Sequence, residues 1–398
     1  MGPDETLSPA LLKKVVHAAA CSASFQQAEA DLRVLAEVEV SANRIHRAAQ
    51  RIGSERVADR RAAVIAVQQL PLPIQRRSPG PAPPPVACIQ VDGGRIQLRP
   101  RAAESHSADS WWRETKVGCL LAMTSEMHVE DPAPEIPKTF IDPARMAEIS
   151  REIKGFSGAA EPLDLAPEES ERAPRAAPQV IAQTVIATTE KVDVFGDALA
   201  AQAHALGFAA ALRKAFVADG SETNWGVHRR HFSHYTPILD WVHAVCYIYA
   251  AAMAGVHAAE GWATYCRWAQ WLWSGAVDGI LEQLCARQTE LGLPAEGDAE
   301  TSPQQRVADA MRYLGNQRSR MNYPEYRRWG LPITSSHIES TIKRINRRMK
   351  GTEKFWDQGA EPLLQLVADH LSPPQPREQF WQNRPAKLSR QRHYHQAA

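Results

Sequence analysis

Residues 86–99 read VACIQVDGGRIQLR. Val86 to Val91 is an apolar, β-prone run, Asp92-Gly93-Gly94 follows it, and Arg95-Ile96-Gln97-Leu98-Arg99 alternates with period two. The pattern predicts the first strand of the domain, with Asp92-Gly93-Gly94 also readable as a Gly-containing turn that closes it. Further strand patterns lie at about 114–123, 180–188, 214–218 and 237–239, with a helical pattern at 194–206 and an unbroken one from about 240 to 295. Read in order, this is three strands, helix, strand, helix, strand, a long helical stretch and a last helix. Such an order predicts an α/β domain carrying an all-helical insertion.

Around that unit the composition divides the chain. Residues 1–70 read as helices, with Ser8 as a helix cap, Pro9 at the first helical position, and further helical patterns at roughly 25–37 and 41–67. Short helices with tight connections suit a helix-turn-helix-like module, and a plain helical subdomain fits equally. Residues 71–85 (PLPIQRRSPGPAPPP) read as a Pro-rich linker. Residues 86–240 would form the first part of the α/β core, with a loose acidic insertion at about 126–178 that holds one helix near Pro143–Ile153. Residues 241–330 would form the helical insertion, 331–370 the final helix region of the core, and 371–398 a flexible basic tail. The five Trp between 241 and 273 have helical spacing and are expected in a core.

A chain of 398 residues has room for two or three domains. Lys and Arg number 46 against 45 Asp and Glu, so the net charge of +1 excludes a histone-like polycation. Six cysteines without a C-x-x-C pair argue against a disulfide scaffold or a Cys-rich zinc finger and fit a reducing cytosol. The start, MGPDETLSP, has no apolar signal region, and the uncharged run from Ala244 to Val256 is far short of the ~18 residues a membrane span needs. The expectation is a cytoplasmic protein with no membrane partner.

Cutting or joining a phosphodiester needs a nucleophile aligned with a poor leaving group, and two divalent ions about 3.5–4 Å apart can stabilise both oxygens. Mg²⁺ takes hard oxygen ligands, so acidic residues at strand ends and on a neighbouring helix are the pattern to seek. Asp92 follows an apolar run, Asp219 follows Phe216-Val217-Ala218, and Gly comes next in both places. Taken singly, each is also what a Gly-containing turn would show. Glu339 lies on a helix whose Ile338, Ile342, Ile345 and Met349 form one apolar stripe, beside a ridge with Lys343, Arg347 and Lys350. Ser336-x-x-Glu339 also reads as a capping box. Asp240 and His243 form a D-x-x-H element suited to a structural hydrogen bond, and nearby His228, His231 and His234 suggest zinc less strongly than they suggest an ordinary helix face.

Residues 312–354 carry eleven Lys and Arg against three Glu, a net of +8, interleaved with Tyr313, Tyr323, Tyr326 and Trp329. Phosphates attract such cations and flat rings stack on unpaired bases, so DNA contact is expected, with a solvated basic face as the plain alternative.

The blocks VDGGRIQLR (91–99), WRETKVGCLLAM (112–123), ADGSETNW (218–225), ILDWVHA (238–244), GNQRSRMNY (315–323) and SSHIESTIKRINRRMKGTEKFW (335–356) resemble bacterial insertion-sequence transposases. The likeness is to the ISKra-type family within the Mutator-related DDE group, and covers about 86 to 370 apart from the acidic insertion. It implies an RNase H-like catalytic domain whose Asp92, Asp219 and Glu339 hold two Mg²⁺ ions, with Mn²⁺ able to substitute. It implies that Asp240 and His243 match the C/D-x-x-H element, 96 residues ahead of Glu339. It further implies an N-terminal DNA-binding region. The family's longer members often carry an N-terminal Cys-rich segment that this chain lacks.

The reading that follows is a DDE transposase that cleaves and joins double-stranded DNA at terminal inverted repeats. It would work as a homodimer or larger assembly, associated with the nucleoid when bound. Arg318, Arg320, Lys343, Arg344, Arg347, Arg348 and Lys350 would hold the DNA. The rivals are a decayed or repurposed transposase that only binds DNA, and an RNase H-like nuclease that cuts without joining. For the second acid, Asp240 is the competitor of Asp219.

Overall fold

The computed structural model describes residues 7–75, 82–98, 112–154, 177–351, 354, 356–357 and 359–384. It is an α/β structure. Helices α1 (Pro9–Cys21), α2 (Phe25–Ala36), α3 (Ala42–Gln68) and the single turn α4 (Leu72–Gln75) come first. Strands β1 (Val86–Gln97) and β2 (Trp112–Thr124), helix α5 (Pro143–Lys154), β3 (Gln179–Thr188), α6 (Val192–Ala205), β4 (Arg213–Ala218), α7 (Glu222–His231) and β5 (Thr236–Leu239) follow. Then come α8 (Trp241–Ala252), α9 (Ala258–Trp273), α10 (Val277–Leu291), α11 (Pro303–Gln317), α12 (Tyr323–Arg328), α13 (Ser336–Met349), α14 (Ala360–Leu371) and α15 (Pro374–Asn383).

The sheet order is β3-β2-β1-β4-β5. β2 is antiparallel to both its neighbours, while β4 and β5 run parallel to β1. β1 is buried from Val86 to Val91, as its apolar run requires, because helices cover both sheet faces. On one face α6 sets Phe195 and Leu199 over Gly118, the partner of Val91. On the other, α13 docks on β1 and β2 with Ile338, Ile345 and Met349 inside and Ile342 half-buried.

The turn readable at Asp92-Gly93-Gly94 is not there. β1 runs straight through it, and Asp92, Gly93 and Gly94 pair with Val117, Lys116 and Thr115. Glycine is needed for a different reason. A Cβ on Gly94 would meet Thr115 Oγ1 at 2.8 Å and Ile342 Cγ2 at 3.8 Å, so the bare backbone makes room beneath α13.

Helices α8 to α11 pack on one another around an aromatic core. Trp241 lies edge-on to Trp273 and Tyr323, with ring centroids 4.8 and 5.2 Å apart. The Trp-rich stretch is thus core, as its spacing indicated. The acidic insertion is less loose than expected over its described part. Asp131 accepts from Arg327 Nε at 2.9 Å, Ala133 O from Trp273 Nε1 at 2.8 Å, and Phe140 O from Tyr265 OH at 2.7 Å. Its remainder, 155–176, lies outside the described residues, as do 76–81 of the linker and 385–398 of the tail.

The N-terminal helices fall at the expected places, with Ser8 Oγ capping α1 at 3.3 Å. They are docked on the α/β unit. Leu366 of α14 and Phe380 of α15 complete their apolar core. Arg56 pairs with Asp369 at 2.8 Å, and Arg60 with Glu361 at 2.7 Å. So the region expected to be tail from 371 onward holds a helix, α15, as far as Asn383.

Arg348 belongs to this joint. It is only 4% exposed, donates from Nε to Ala19 O at 2.9 Å, and lies over the Phe25 ring at 4.5 Å. A DNA-contact role for Arg348 is therefore corrected: a guanidinium spent on the C-terminal carbonyls of α1 cannot reach a phosphate. Arg348→Met should lower stability by about 2 kcal/mol, through one charge-assisted hydrogen bond and one cation–π contact. Urea unfolding of the purified variant measures this, and an unchanged midpoint would refute the joint.

Candidate functional site

The site is made by strand register. Val91 of β1 is level with Ala218 of β4, and Ala218 is level with Leu239 of β5. The next residues along these three parallel strands are Asp92, Asp219 and Asp240. Asp240 N–H donates to Ala218 O at 2.9 Å, which keeps the row tight. Three carboxylates thus stand side by side at the C-terminal side of parallel strands, where open α/β sheets place their sites.

A fourth carboxylate comes from α13. Gln90, two residues before Asp92 and fully buried, clamps the start of that helix. Its Nε2 donates to Thr334 O at 2.9 Å, and its Oε1 accepts from Ile338 N–H at 3.1 Å. Glu339 is consequently set over the strand ends. The one sign of Gln90 in the sequence is a lone amide within the apolar run Cys88-Ile89-Gln90-Val91, outside every motif.

The expected capping box is absent. Ser335, not Ser336, is the cap residue of α13, and its hydroxyl donates to Glu339 Oε1 at 3.1 Å. The cap's own N–H donates to Asp240 Oδ1 at 2.7 Å, a contact 95 residues distant.

Asp240 has no exposed surface. It caps α8, and its Oδ2 accepts from His243 N–H at 3.0 Å and from His243 Nδ1 at 2.6 Å. This is the structural Asp–His bond expected of the D-x-x-H element. Asp240, His243 and Glu339 each offer a ligand atom within 4.8 Å of the others, the one such group of three among the described residues. His228 Nε2 donates to Tyr235 O at 2.9 Å, and His231 sits 3.7 Å from Asp197, so the three-histidine zinc arrangement does not form.

Asp219 is held differently. Both bonds to its carboxylate fall on Oδ1, from Ser221 N–H at 3.0 Å and Asn224 Nδ2 at 2.9 Å. With Asp92 it lines a cleft of about 130 Å³, shared with Glu114, Lys116, Ser221 and Asn224. Between the two candidates for a second acid, Asp219 faces this opening and Asp240 is enclosed by its own bonds.

The electrostatics match the crowding. Burial and then the Asp219 charge push the Asp92 carboxyl up to about 6, with Gly93 N–H and His243 pulling the other way. Burial, then Asp240, also raises Glu339, against His243, the Ser335 hydroxyl and Lys343. Hard oxygen donors under mutual repulsion are a fitting set for a divalent cation such as Mg²⁺.

The basic segment is less free than its charge of +8 suggests. Arg318 pairs with Asp278 at 2.5 Å, Lys343 with Glu152 at 2.9 Å, and Arg328 with Glu325 at 2.5 Å. Arg327 is buried against Asp131 and over the Trp273 ring. Arg320 lies over Trp225 at 4.2 Å, and Lys350 over Trp112 at 5.6 Å. Arg344 and Arg347 are exposed, with no ion-pair partner among the described residues. Tyr323 and Tyr326 are buried and Tyr313 half-buried, so of the four aromatics only Trp329, 37% exposed, is on the surface.

Neither the protein-family models nor the curated proteins give a match to this chain. No described helix is long and apolar enough to cross a membrane, and all six cysteines are free thiols.

The raised Asp92 carboxyl has a consequence for stability. A folded-state value near 6, above the ordinary carboxylate value of 3.8, means the folded protein binds that proton more tightly than the unfolded chain. The penalty is absent below about pH 4 and complete above about pH 6. In chelator at pH 7, Asp92→Asn should therefore stabilise the fold by roughly 3 kcal/mol. The gain should vanish toward pH 4, and thermal unfolding at both pH values tests it.

Proposed function

We propose that the protein is a DDE transposase with an RNase H-like catalytic domain, in which Asp92, Asp219 and Glu339 hold two Mg²⁺ ions. The observation that carries this reading is the register of β1 and β4, which sets Asp92 beside Asp219; Glu339 on α13 is near enough for its charge to act on the Asp92 carboxyl and shares a ligand group with Asp240 and His243. The chain order β1-β2-β3-α6-β4-α7-β5, the helices α8 to α12, and the return to the sheet through α13 agree with an RNase H-like core carrying a helical insertion.

When bound, the ions would polarise the phosphate and stabilise the attacking and leaving oxygens of an in-line displacement. The chain's own residues have distinct tasks. Asp92 and Asp219 present oxygens to the cleft from a rigid sheet, and Glu339 closes the set from a helix fixed by Gln90 and Asp240. Asp240 accepts from His243 Nδ1, which fixes the imidazole's orientation next to Glu339. Water attacking a DNA phosphate would leave a 3′-hydroxyl. That hydroxyl, attacking a phosphate of the target strand, would join the ends and release the target's own 3′-oxygen. Arg344 and Arg347, on the helix that carries Glu339, would grip the phosphate backbone near the cut.

The test is strand cleavage and joining by purified protein with Mg²⁺, on the inverted repeats flanking its gene. Asp92→Asn, Asp219→Asn and Glu339→Gln should each lower cleavage roughly 10²–10³-fold or more, the scale of losing one preorganised electrostatic contact, with DNA binding retained. If Asp240→Asn alone is dead and Asp219→Asn active, the second acid is misassigned. Binding without cleavage by the unaltered chain would leave a DNA-binding protein, and cleavage without joining a nuclease. Arg344→Ala with Arg347→Ala should reduce the slope of log affinity against log salt by about two.

A further inference from the structure

The second acidic residue is steadied from outside the α/β unit. Asp219 and Gly220 form the link from β4 to α7, and α11 of the helical insertion lies across it. Tyr313 OH donates to Asp219 O at 2.6 Å, and four residues on, one helical turn away, Gln317 Nε2 donates to Gly220 O at 3.1 Å. Gly220 has φ +94°, the left-handed region that favours glycine, and a Cβ there would lie 2.7 Å from Tyr313 Cε2. Tyr313 is itself fixed by stacking on Tyr247 of α8, with ring centroids 3.8 Å apart and planes 19° from parallel. Gln317 is only 6% exposed, and its Oε1 accepts from Arg320. Two successive carbonyls are thus held by two side chains of a helix that begins 83 residues further along the chain.

We infer that Tyr313 and Gln317 are positioning residues for the cation site, fixing the backbone of Asp219 and Gly220 so that the Asp219 carboxylate faces Asp92. The inference rests on the metal reading proposed above. Its physical basis is that a strand-end aspartate followed by glycine has a soft backbone. Two hydrogen bonds to consecutive carbonyls remove that softness without touching the carboxylate. A helix supplied by the insertion then becomes part of the site's geometry, and loosening it reduces cation affinity with the ligand set intact.

The experiment measures Mn²⁺ binding to the full chain without DNA, from the free-Mn²⁺ paramagnetic resonance signal. Tyr313→Phe removes one hydroxyl and keeps the stack, and Gln317→Met removes one amide and keeps the volume. Each should raise the Mn²⁺ dissociation constant about 10-fold. Thermal midpoints and the salt slope of DNA binding should stay near those of the unaltered chain, which a merely structural role would not combine with lost cation affinity. Should Tyr313→Phe not fold, Gln317→Met carries the same test. Unchanged Mn²⁺ affinity in the folded variants overturns the inference while Asp219→Asn still abolishes binding. If Asp219→Asn and Asp92→Asn leave Mn²⁺ binding intact, the metal reading itself fails and the inference falls with it.

Discussion

Like charges brought together at adjacent strand ends are the constraint around which this structure is arranged. A register that levels Val91, Ala218 and Leu239 cannot avoid placing Asp92, Asp219 and Asp240 in one row. The fold resolves the row unequally. Asp240 is hydrogen-bonded internally, by two backbone N–H groups and an imidazole, so its carboxylate caps α8 and pins the start of α13. Burial, and then the charge of Asp219 beside it, drive the Asp92 carboxyl up against the hydrogen bond it accepts from Gly93 N–H. One acid has become architecture and its neighbours remain unstable as a group of anions. A site that costs the fold stability when empty is what cation binding would relieve.

The same division explains α13. Its anchoring polar contacts come from Gln90 and Asp240, both in or just beyond the sheet, and its C-terminal half is held by Arg348 against α1. Glu339 therefore sits on a helix fixed at both ends by groups from different parts of the chain. A carboxylate on a helix held at one end would follow that helix's rocking, and ion sites tolerate little of it.

Much of the fold was legible because local pattern and tertiary environment agree there. The apolar runs Val86–Val91 of β1 and Ala215–Ala218 of β4 are buried, as is the second half of β3 from Thr184 to Thr188, and Ser8-Pro9 starts a helix as capping chemistry requires. Asp92, Asp219 and Glu339 stand out in the sequence through position and motif resemblance; Asp92 and Asp219 line one cleft, while the ligand atoms of Glu339 group with Asp240 and His243. What failed was non-local. Asp-Gly-Gly looked like a turn, and only the approach of Thr115 and Ile342 reveals why glycine lies mid-strand. The cap of α13 is bonded by Asp240, so no nearby sequence could disclose that Ser335 rather than Ser336 holds the position. Gln90 acts through residues more than 240 positions away. Arg327 and Arg348 were counted as surface charge because their partners, Asp131 and Ala19 O, lie far outside the basic segment.

That last misreading changes how the basic face should be understood. A local charge of +8 is a statement about chain neighbours, whereas a phosphate responds to charges that share a surface. Once pairs and burial are taken into account, Arg344 and Arg347 stand out on α13, one turn or two beyond Glu339. Two forked guanidiniums there can grip a backbone more specifically than a larger number of scattered lysines, because each can hold one phosphate through two hydrogen bonds. They also share a helix with Glu339, the third ligand of the proposed cation site. Under the proposed function, a DNA strand gripped there would be aligned relative to Glu339 by a single rigid element, which would couple substrate placement to assembly of the carboxylates. The hydrogen bonds of Gln90 and Asp240, which fix that helix on the sheet, would on that reading serve substrate alignment as well as the carboxylate geometry.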